Sequence, residues 1–473
     1  MTKYSEKINN ILNQISFLKT IKELSEKRGE KVFIVGGFVR DIILNRVRNE
    51  IDFLVLGNGV EFSENLATEL KVENVSVFKN FGTAHFRYEN FDLEFVGARK
   101  ESYSESSRNP IVTDGTFEDD INRRDFTINS IAVSLSKENF GEITDFFNGI
   151  QDIERKIIKT PLDPEVTFND DPLRIMRAFR FASQLNFQIS DEVLSAASNL
   201  KERLKIISQE RITDEFLKIL KSEKPSYGLN LLQESGVMDV IFSEIAVMAG
   251  VDQRKDFHHK DVFLHTLQVV DNISKETSNV WLRLAALLHD VAKPPTKKFI
   301  EGIGWTFHGH EDLGAKMAKA IFKRMKLPFV QLEYVQKLIR LHLRPIALVD
   351  DEVTDSAIRR FVVAAGEDLE DLIKLCRADI TSKNINKVSR YLNNYEIVMQ
   401  KVREVKEKDK LREFQSPVRG EEIMKEFNLK PGKIVGKIKT EIEEAILEGI
   451  IANDYDEAHK FMMQLKTKYQ SEK

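Results

Sequence analysis

The chain has 473 residues, enough for two to four domains with a sizeable core. It is 42% hydrophobic and 31% charged with a formal net charge of −4, which excludes a disordered chain and gives no overall basic character of the kind phosphate contacts need, although a local basic stripe remains compatible with it. No apolar run reaches the length of a membrane span, and the single cysteine, Cys376, excludes an intramolecular disulfide framework and any cysteine-rich zinc site. The stretch from Met1 to Leu24 reads as an amphipathic helix carrying acids. It lacks the small-residue cleavage site of a signal peptide. With one cysteine, a reducing cytoplasm is the expectation.

The stretch Lys31 to Gly57, KVFIVGGFVRDIILNRVRNEIDFLVLG, organises the rest. Val32 to Val35 reads as a buried strand. Gly36 and Gly37 follow, where a backbone can turn sharply and approach a ligand. Phe38 to Leu44 has helical spacing, and Ile51 to Leu56 reads as a second strand. Glu50 and Asp52 stand two residues apart at its start, so they project from one face. Two carboxylates on one strand face are costly without a cation between them, and Mg²⁺ prefers one or two carboxylates plus substrate phosphates. Val60 to Leu70 then reads as a helix. Ser76 to Phe78, Thr83 to Tyr88 and Leu93 to Val96 read as strands, with turns at Lys79-Asn80 and Glu89-Asn90. Glu94 on the last strand is a candidate third carboxylate. Arg99 to Asp120 is polar and poor in core residues, which predicts a long loop.

The order strand, Gly-Gly, helix, strand, acid-x-acid resembles the nucleotidyltransferase core of the tRNA nucleotidyltransferase (CCA-adding) and bacterial poly(A) polymerase family. Two further strings carry the resemblance. One is Arg123-Arg124-Asp125-Phe126-Thr127-Ile128-Asn129. The other is NDDPLRIMRAFRF, Asn169 to Phe181, in which Pro172 is placed to open a helix. The resemblance implies that Gly36, Gly37 and Arg40 meet the triphosphate, with Arg123 and Arg124 on triphosphate or ribose beside Asp125. It also implies that Asp171 and Arg174 read base edges of CTP or ATP, an acceptor and a fork of donors. Arg177 and Arg180 continue the row. Glu50 and Asp52 become the catalytic Mg²⁺ ligands. The family has aspartate at both acid positions, and the longer Glu50 shifts its carboxylate by about 1 Å, a displacement that can slow a positioned reaction roughly 100-fold. Altered rather than absent metal binding is therefore expected.

Residues 185 to 250 read as mostly helical, including ERITDEFLKILKS, and Val251 to His259 reads as a boundary. A second constellation follows: His265 on an apolar-periodic helix, His289-Asp290 near a helix end, His310, His342 and Asp379. It resembles the HD phosphohydrolase superfamily, which implies His265, His289, Asp290 and Asp379 as metal ligands and His310 and His342 as candidates for a second metal. Imidazole with carboxylate suits Mn, Ni, Co, Fe or Zn better than Mg²⁺ alone. From Val388 the chain is helical and charge-rich. There Pro431-Gly432 and Gly436 bracket Lys430, Lys433 and Lys437, where backbone amides at glycine turns plus lysines would suit RNA phosphates.

The fold class expected is α+β: a small mixed α/β nucleotidyltransferase head (31–150) after an N-terminal helix (1–30). A helical neck (151–250), a helical HD domain (251–387) and a helical tail (388–473) follow. The function implied is addition of CMP and AMP from CTP and ATP to the 3′ end of tRNA, with no membrane partner. A poly(A) polymerase, a partial C- or A-adding enzyme, and an HD phosphohydrolase with a weakened head stay open as alternatives.

Overall fold

The computed structural model describes residues 2–78, 82–104, 107–252, 261–348, 353–382, 384–409 and 416–470. The turn expected at Lys79-Asn80 and most of the boundary expected at Val251 to His259 lie outside them. The chain divides into two compact units, 1–246 and 247–473. No helix among the described residues is long and apolar enough to cross a membrane.

The first unit opens with α1 (Thr2–Leu12) and α2 (Phe17–Arg28), two helices where the sequence suggests one. Then come β1 (Lys31–Val35), α3 (Gly37–Ile43), β2 (Glu50–Leu56), α4 (Gly59–Glu69), β3 (Ser76–Phe78), β4 (Thr83–Tyr88) and β5 (Phe91–Gly97). The expected loop after them is instead an antiparallel hairpin, β6 (Arg99–Ser104) and β7 (Ser107–Asp114), followed by the short helix α5 (Phe117–Asn122). A ladder is closed by backbone groups whatever the side chains, so a polar composition does not forbid it. Thr116 opens α5 with a reciprocal capping box to Asp119. With β8 (Ala132–Ser134) and β9 (Ile143–Thr144) the main sheet runs in the order β3-β4-β5-β2-β1-β8-β9.

The two faces of this sheet differ by the strand period of two. Phe53, Phe86 and Phe95 stack on one another and pack on Phe62 of α4. On the opposite face Leu54 joins Phe33, Val35, Ile121 and Ala132 in an apolar cluster. Asp52, two residues before Leu54, lies on that second face, half-buried beyond the apolar cluster.

The unit continues with α6 (Gly149–Arg155), β10 (Ile157–Ile158), α7 (Pro164–Asp170), α8 (Leu173–Leu185), β11 (Gln188–Ile189), α9 (Asp191–Asn199), α10 (Gln209–Leu220), α11 (Pro225–Glu234), α12 (Val237–Ile241) and α13 (Ser243–Ala246). Helix α8 is the hub and packs on α7, α10 and α11. Its Arg180 does not continue the row that starts at Asp171. A three-residue step falls about 60° short of a full turn, so three steps rotate a side chain to the far side of the helix. There Arg180 is ion-paired with the buried Glu215 of α10 and lies over the Phe181 ring. In this structure it is a tie between two helices and does not line the cleft where the nucleotide contacts were expected.

The second unit contains α14 (Val262–Glu276), α15 (Val280–Leu288), α16 (Lys293–Thr296), the hairpin β12 (Lys298–Ile300) and β13 (Gly304–Thr306), α17 (His310–Arg324), α18 (Leu332–Leu341), α19 (Asp355–Ala365), α20 (Leu369–Ala378) and α21 (Ile385–Asp409). Helix α15 is apolar almost throughout, and Leu282 to Leu288 are all buried. That places the residues at its C-terminal end deep inside. The chain ends in α22 (Gly420–Phe427), α23 (Lys433–Leu447) and α24 (Tyr455–Gln470), which share a core built on Ile423, Ile438, Ile442, Ala458 and Met462.

Removing one partner of a buried ion pair leaves the other uncompensated. Glu215→Ala is expected to lower the stability of the first unit by about 3–5 kcal/mol, read from the urea midpoint of the full chain. A shift below 1 kcal/mol would show that Arg180 is not held by this pair.

Candidate active sites

The antiparallel register sets Val35 opposite Asp52, so the turn after β1 lies beside that carboxylate. Gly36 has φ 77°, and a Cβ there would come within 3.1 Å of Asp52 Oδ2 and 3.3 Å of Arg124 Nη1. Glycine is required both for the left-handed backbone and for the close approach. Strand β5 pairs with β2 in parallel and sets Asp92 beside Glu50 and Glu94 beside Asp52. The candidate third carboxylate thus shares the face and level of Asp52. Burial raises the Asp52 carboxyl above its ordinary range, and Glu50 adds to this, against the opposing charges of Arg124 and Arg48. Burial, then Asp52, raises Glu94 in the same way. Asp52 and Glu94, crowded acids that resist losing their protons, are oxygen donors in want of a cation, and Glu50 stands beside them on the same strand face.

Beside this acid face is a cleft of about 240 Å³ lined by Arg123, Arg124, Asp125, Asp171, Arg174, Arg177 and Arg211. The structure therefore brings together six of the residues selected from the sequence and adds Arg211. Its guanidinium lies 3.7 Å from Asp171 Oδ2, and nothing in the string ERITDEF distinguished it from a surface arginine. Asp171 Oδ1 accepts the Leu173 N–H and so opens α8. Arg174 donates to the carbonyls of Arg123 and Thr167, which orients its guanidinium without neutralising its charge or using all of its donors.

The sequence also missed Asp120, which lay in the supposed loop. It is fully buried and accepts from Arg123 Nε at 2.9 Å and Arg124 Nη2 at 3.0 Å. Burial pushes its carboxyl up, but the two arginines outweigh that and hold it below the usual range. Asp125 accepts from Arg177 Nε at 2.7 Å and from Asn129 Nδ2 at 3.0 Å. Here too burial acts upward and is overcome, by Arg177 first, leaving the carboxyl at about 2. Five arginines line the cleft against the carboxylates of Asp120, Asp125 and Asp171, an excess of two positive charges that suits a polyanion. Arg40 is not among the lining residues. It is buried, donates to both oxygens of Asp41 and to Asn129 Oδ1 at 2.8 Å, and lies over Phe181. In this structure it braces α3 against the Arg-Arg-Asp segment.

The second unit gathers its histidines and aspartates at helix ends. His265 lies in the first turn of α14, His289 and Asp290 follow α15, His310 begins α17, His342 follows α18, and Asp379 follows α20. They form two sets, His265, His289 and Asp379, and Asp290, His310 and His342, the ligand atoms within each set lying within 4.8 Å of one another. Asp290 stands between them, with Oδ2 3.2 Å from His289 Nε2 and Oδ1 3.3 Å from His310 Nε2. His289, His310 and His342 each donate from Nδ1 to the carbonyl three residues earlier, at 2.7 Å. Those carbonyls hold Nδ1 and leave Nε2 aimed at the shared space. His265 is turned the same way by Thr381, 2.8 Å from its Nδ1. His289 Nε2, Asp290 Oδ1 and His310 Nε2 are buried without a hydrogen-bond partner among the described residues. Orphaned donors and acceptors of this kind fit a metal centre. Burial lowers the His289 imidazole, yet Asp290 and Asp379 prevail and raise it to about 10, whereas burial brings His342 down to about 4. Lys293, three residues beyond Asp290 on the next turn, donates to its Oδ2 at 2.6 Å.

In the tail Lys430, Lys433 and Lys437 are exposed, and Lys433 and Lys437 are one turn apart on α23. Gly436 is helical, not a turn, so its amide belongs to the helix ladder and the glycine-turn part of the expectation is corrected.

Three family models match the chain: the poly A polymerase head domain over residues 32–159, the probable RNA and SrmB-binding site of polymerase A over 186–248, and the HD domain over 262–383. The A-adding tRNA nucleotidyltransferase of Deinococcus radiodurans is 32% identical over 342 residues, 69% of this chain and 75% of that protein. The chain belongs to the tRNA nucleotidyltransferase family. The multifunctional CCA protein of Shewanella frigidimarina is 32% identical over 63% of this chain and 70% of its own length. The A-adding tRNA nucleotidyltransferase of Aquifex aeolicus is 36% identical over 57% of this chain, but the matched region is only 32% of that longer protein. The fold is that of a solved CCA-adding enzyme in its apo form II, with a TM-score of 0.64, 21% identity and 96% of each chain covered.

The depressed Asp125 carboxyl yields a pH prediction. A group whose folded value lies below its unfolded value contributes stability above the unfolded value and loses it as pH falls through the folded one. Asp125 should thus contribute about 2 kcal/mol above pH 4 that disappears towards pH 2. In Asp125→Asn the difference in urea midpoint between pH 5 and pH 2.5 should shrink by that amount. An unchanged difference would show that Arg177 does not hold the carboxylate.

Proposed function

We propose that the protein adds CMP and AMP, from CTP and ATP, to the 3′ end of tRNA without a nucleic-acid template. The observation that carries this reading is the basic cleft of Asp171 and Arg174 placed beside the acid face of Glu50, Asp52 and Glu94. Glu50 and Asp52, with Glu94, would hold Mg²⁺, whose chemistry there is to activate the RNA 3′-hydroxyl and stabilise the departing pyrophosphate. The protein's own groups do the positioning. Asp171 accepts from, and Arg174 donates to, the edge of the incoming base. Arg123 and Arg124, oriented by Asp120, meet triphosphate and ribose, while Asp125 anchors Arg177. Lys430, Lys433 and Lys437 meet RNA phosphates, and the work is cytoplasmic. Addition of A alone to a tRNA that already ends in CC is the second reading, favoured by the names of the Deinococcus and Aquifex relatives.

Incubation with CTP, ATP and a tRNA lacking its CCA end tests this. Three residues added in the order C, C, A support the first reading; extension only of a tRNA ending in CC supports the second. Long A tails, or no incorporation, count against both. Arg174→Ala should lower incorporation of both nucleotides by about 10- to 100-fold while leaving the fold intact, since an unpaired polar group in such a site costs about 1–3 kcal/mol. Unchanged rate and selectivity would remove Arg174 from the base-reading pair.

The HD cluster supports a separate, metal-dependent phosphoester hydrolysis. Its mixed set of histidines and carboxylates suits Mn, Ni, Co, Fe or Zn, with Mg²⁺ the harder alternative, and a bound ion would supply an activated water. The double substitution His289→Ala with Asp290→Ala should abolish release of phosphate from a model phosphoester and spare nucleotide addition. Equal loss of both activities in a folded protein would refute two independent sites.

A further inference from the structure

We propose that Arg48, which no motif marks, is a further side chain that grips the polyphosphate of the incoming nucleotide, beside Arg123 and Arg124, and that Glu50 holds it in place until then. The proposal rests on the nucleotidyltransferase reading and deepens it. The other arginines around the Gly-Gly turn have buried acid partners that orient them. Arg40 is held on Asp41 and Asn129, Arg123 and Arg124 on Asp120, and Arg177 on Asp125. Arg48 differs in having an exposed acid as its main partner. Its Nη2 is 2.5 Å from Glu50 Oε2 and its Nη1 reaches Asp41 Oδ2 only at 3.3 Å, while its buried Nε, like that of Arg124, has no hydrogen-bond partner among the described residues. The side chains of Arg48 and Glu50 are 30% and 64% exposed, and a pair so open to water is weak and readily exchanged.

The position of Arg48 gives the exchange a direction. A Cβ on Gly37 would lie 2.7 Å from Arg48 Nη1 and 2.9 Å from Cζ, so the guanidinium rests against the backbone of the second glycine. Gly36, the first, meets Asp52 and Arg124. Arg48 and Arg124 therefore flank the same two-glycine turn, the second of them lining the nucleotide cleft. A planar fork of donors with a replaceable carboxylate partner matches a phosphate group, which can take the same two-pronged geometry. A cation taken up by Glu50 and Asp52 removes the carboxylate that Arg48 now occupies, so cation and polyphosphate binding cooperate through this one residue. With Arg48 in place, a cation must also displace the guanidinium from Glu50.

The two effects of removing Arg48 thus have opposite signs, which a merely structural residue would not produce. Binding of adenosine, AMP and ATP to the full chain is measured calorimetrically in EDTA, for wild type, Arg48→Ala and Arg48→Lys. The expected result is an ATP affinity at least tenfold weaker in Arg48→Ala and partly restored in Arg48→Lys, with adenosine affinity unchanged. Mn²⁺ binding, followed by electron paramagnetic resonance with the HD cluster removed by His289→Ala and Asp290→Ala, should become several-fold tighter when Arg48→Ala is added. The inference is overturned if wild type binds ATP better than adenosine and Arg48→Ala does so equally, or if all three ligands weaken together. Mn²⁺ binding that is unchanged or weaker also overturns it. If wild type shows no preference for ATP over adenosine, the nucleotide reading of the cleft falls with it.

Discussion

The register of two antiparallel strands fixes the head. Because Val35 of β1 lies opposite Asp52 of β2, the chain leaves β1 against a carboxylate and can turn there only with glycine. A slip of one residue would carry Asp52 into the aromatic layer under α4 and bring Phe53 to the open face. The stacked Phe53, Phe86 and Phe95 make that slip costly, since each buried aromatic contributes roughly 1.5–3 kcal/mol. The apolar layer on one face of the sheet thus places the acids on the other. Parallel pairing with β5 then adds Glu94 at the level of Asp52.

Around that frame the molecule handles charge by one rule with two outcomes. Where a buried carboxylate meets arginine, as Asp120, Asp125 and Glu215 do, the pair is closed and serves to orient or to tie. Removing charges from water is expensive, so such pairs hold only when both partners stay. Where buried polar atoms are left without partners, as at His289, Asp290 and His310, the arrangement is open and fits a ligand. Arg180 and Arg40 belong to the closed class despite their places in functional strings. Arg48, held mainly by an exposed glutamate, belongs to the open one.

Much of this was legible because local rules carry it. Period-two alternation places Glu50 and Asp52 on one face, and the strands, the glycine turn and α8 follow from apolar spacing and a Pro at a helix start. The six metal-ligand candidates of the HD unit were read from their order in the chain. The hairpin β6–β7 was not legible, because backbone groups alone close it, although the Thr116–Asp119 capping box of α5 could have been found. Asp120 and Arg211 were hidden for another reason. An acid among acids and an arginine among surface charges acquire meaning only from what is folded against them.

The sequence by itself determined which residues are chemically able to act and, by the strand and helix periods, which neighbours in the chain share a face. The tertiary structure decided which of them are free to act. Arg174 and Arg180 stand on one helix six residues apart, yet one lines a cleft and the other is locked to Glu215. The cause is that the energy of a charge depends on its distance to other charges and on its exposure to water, and both are set by segments far away in the chain.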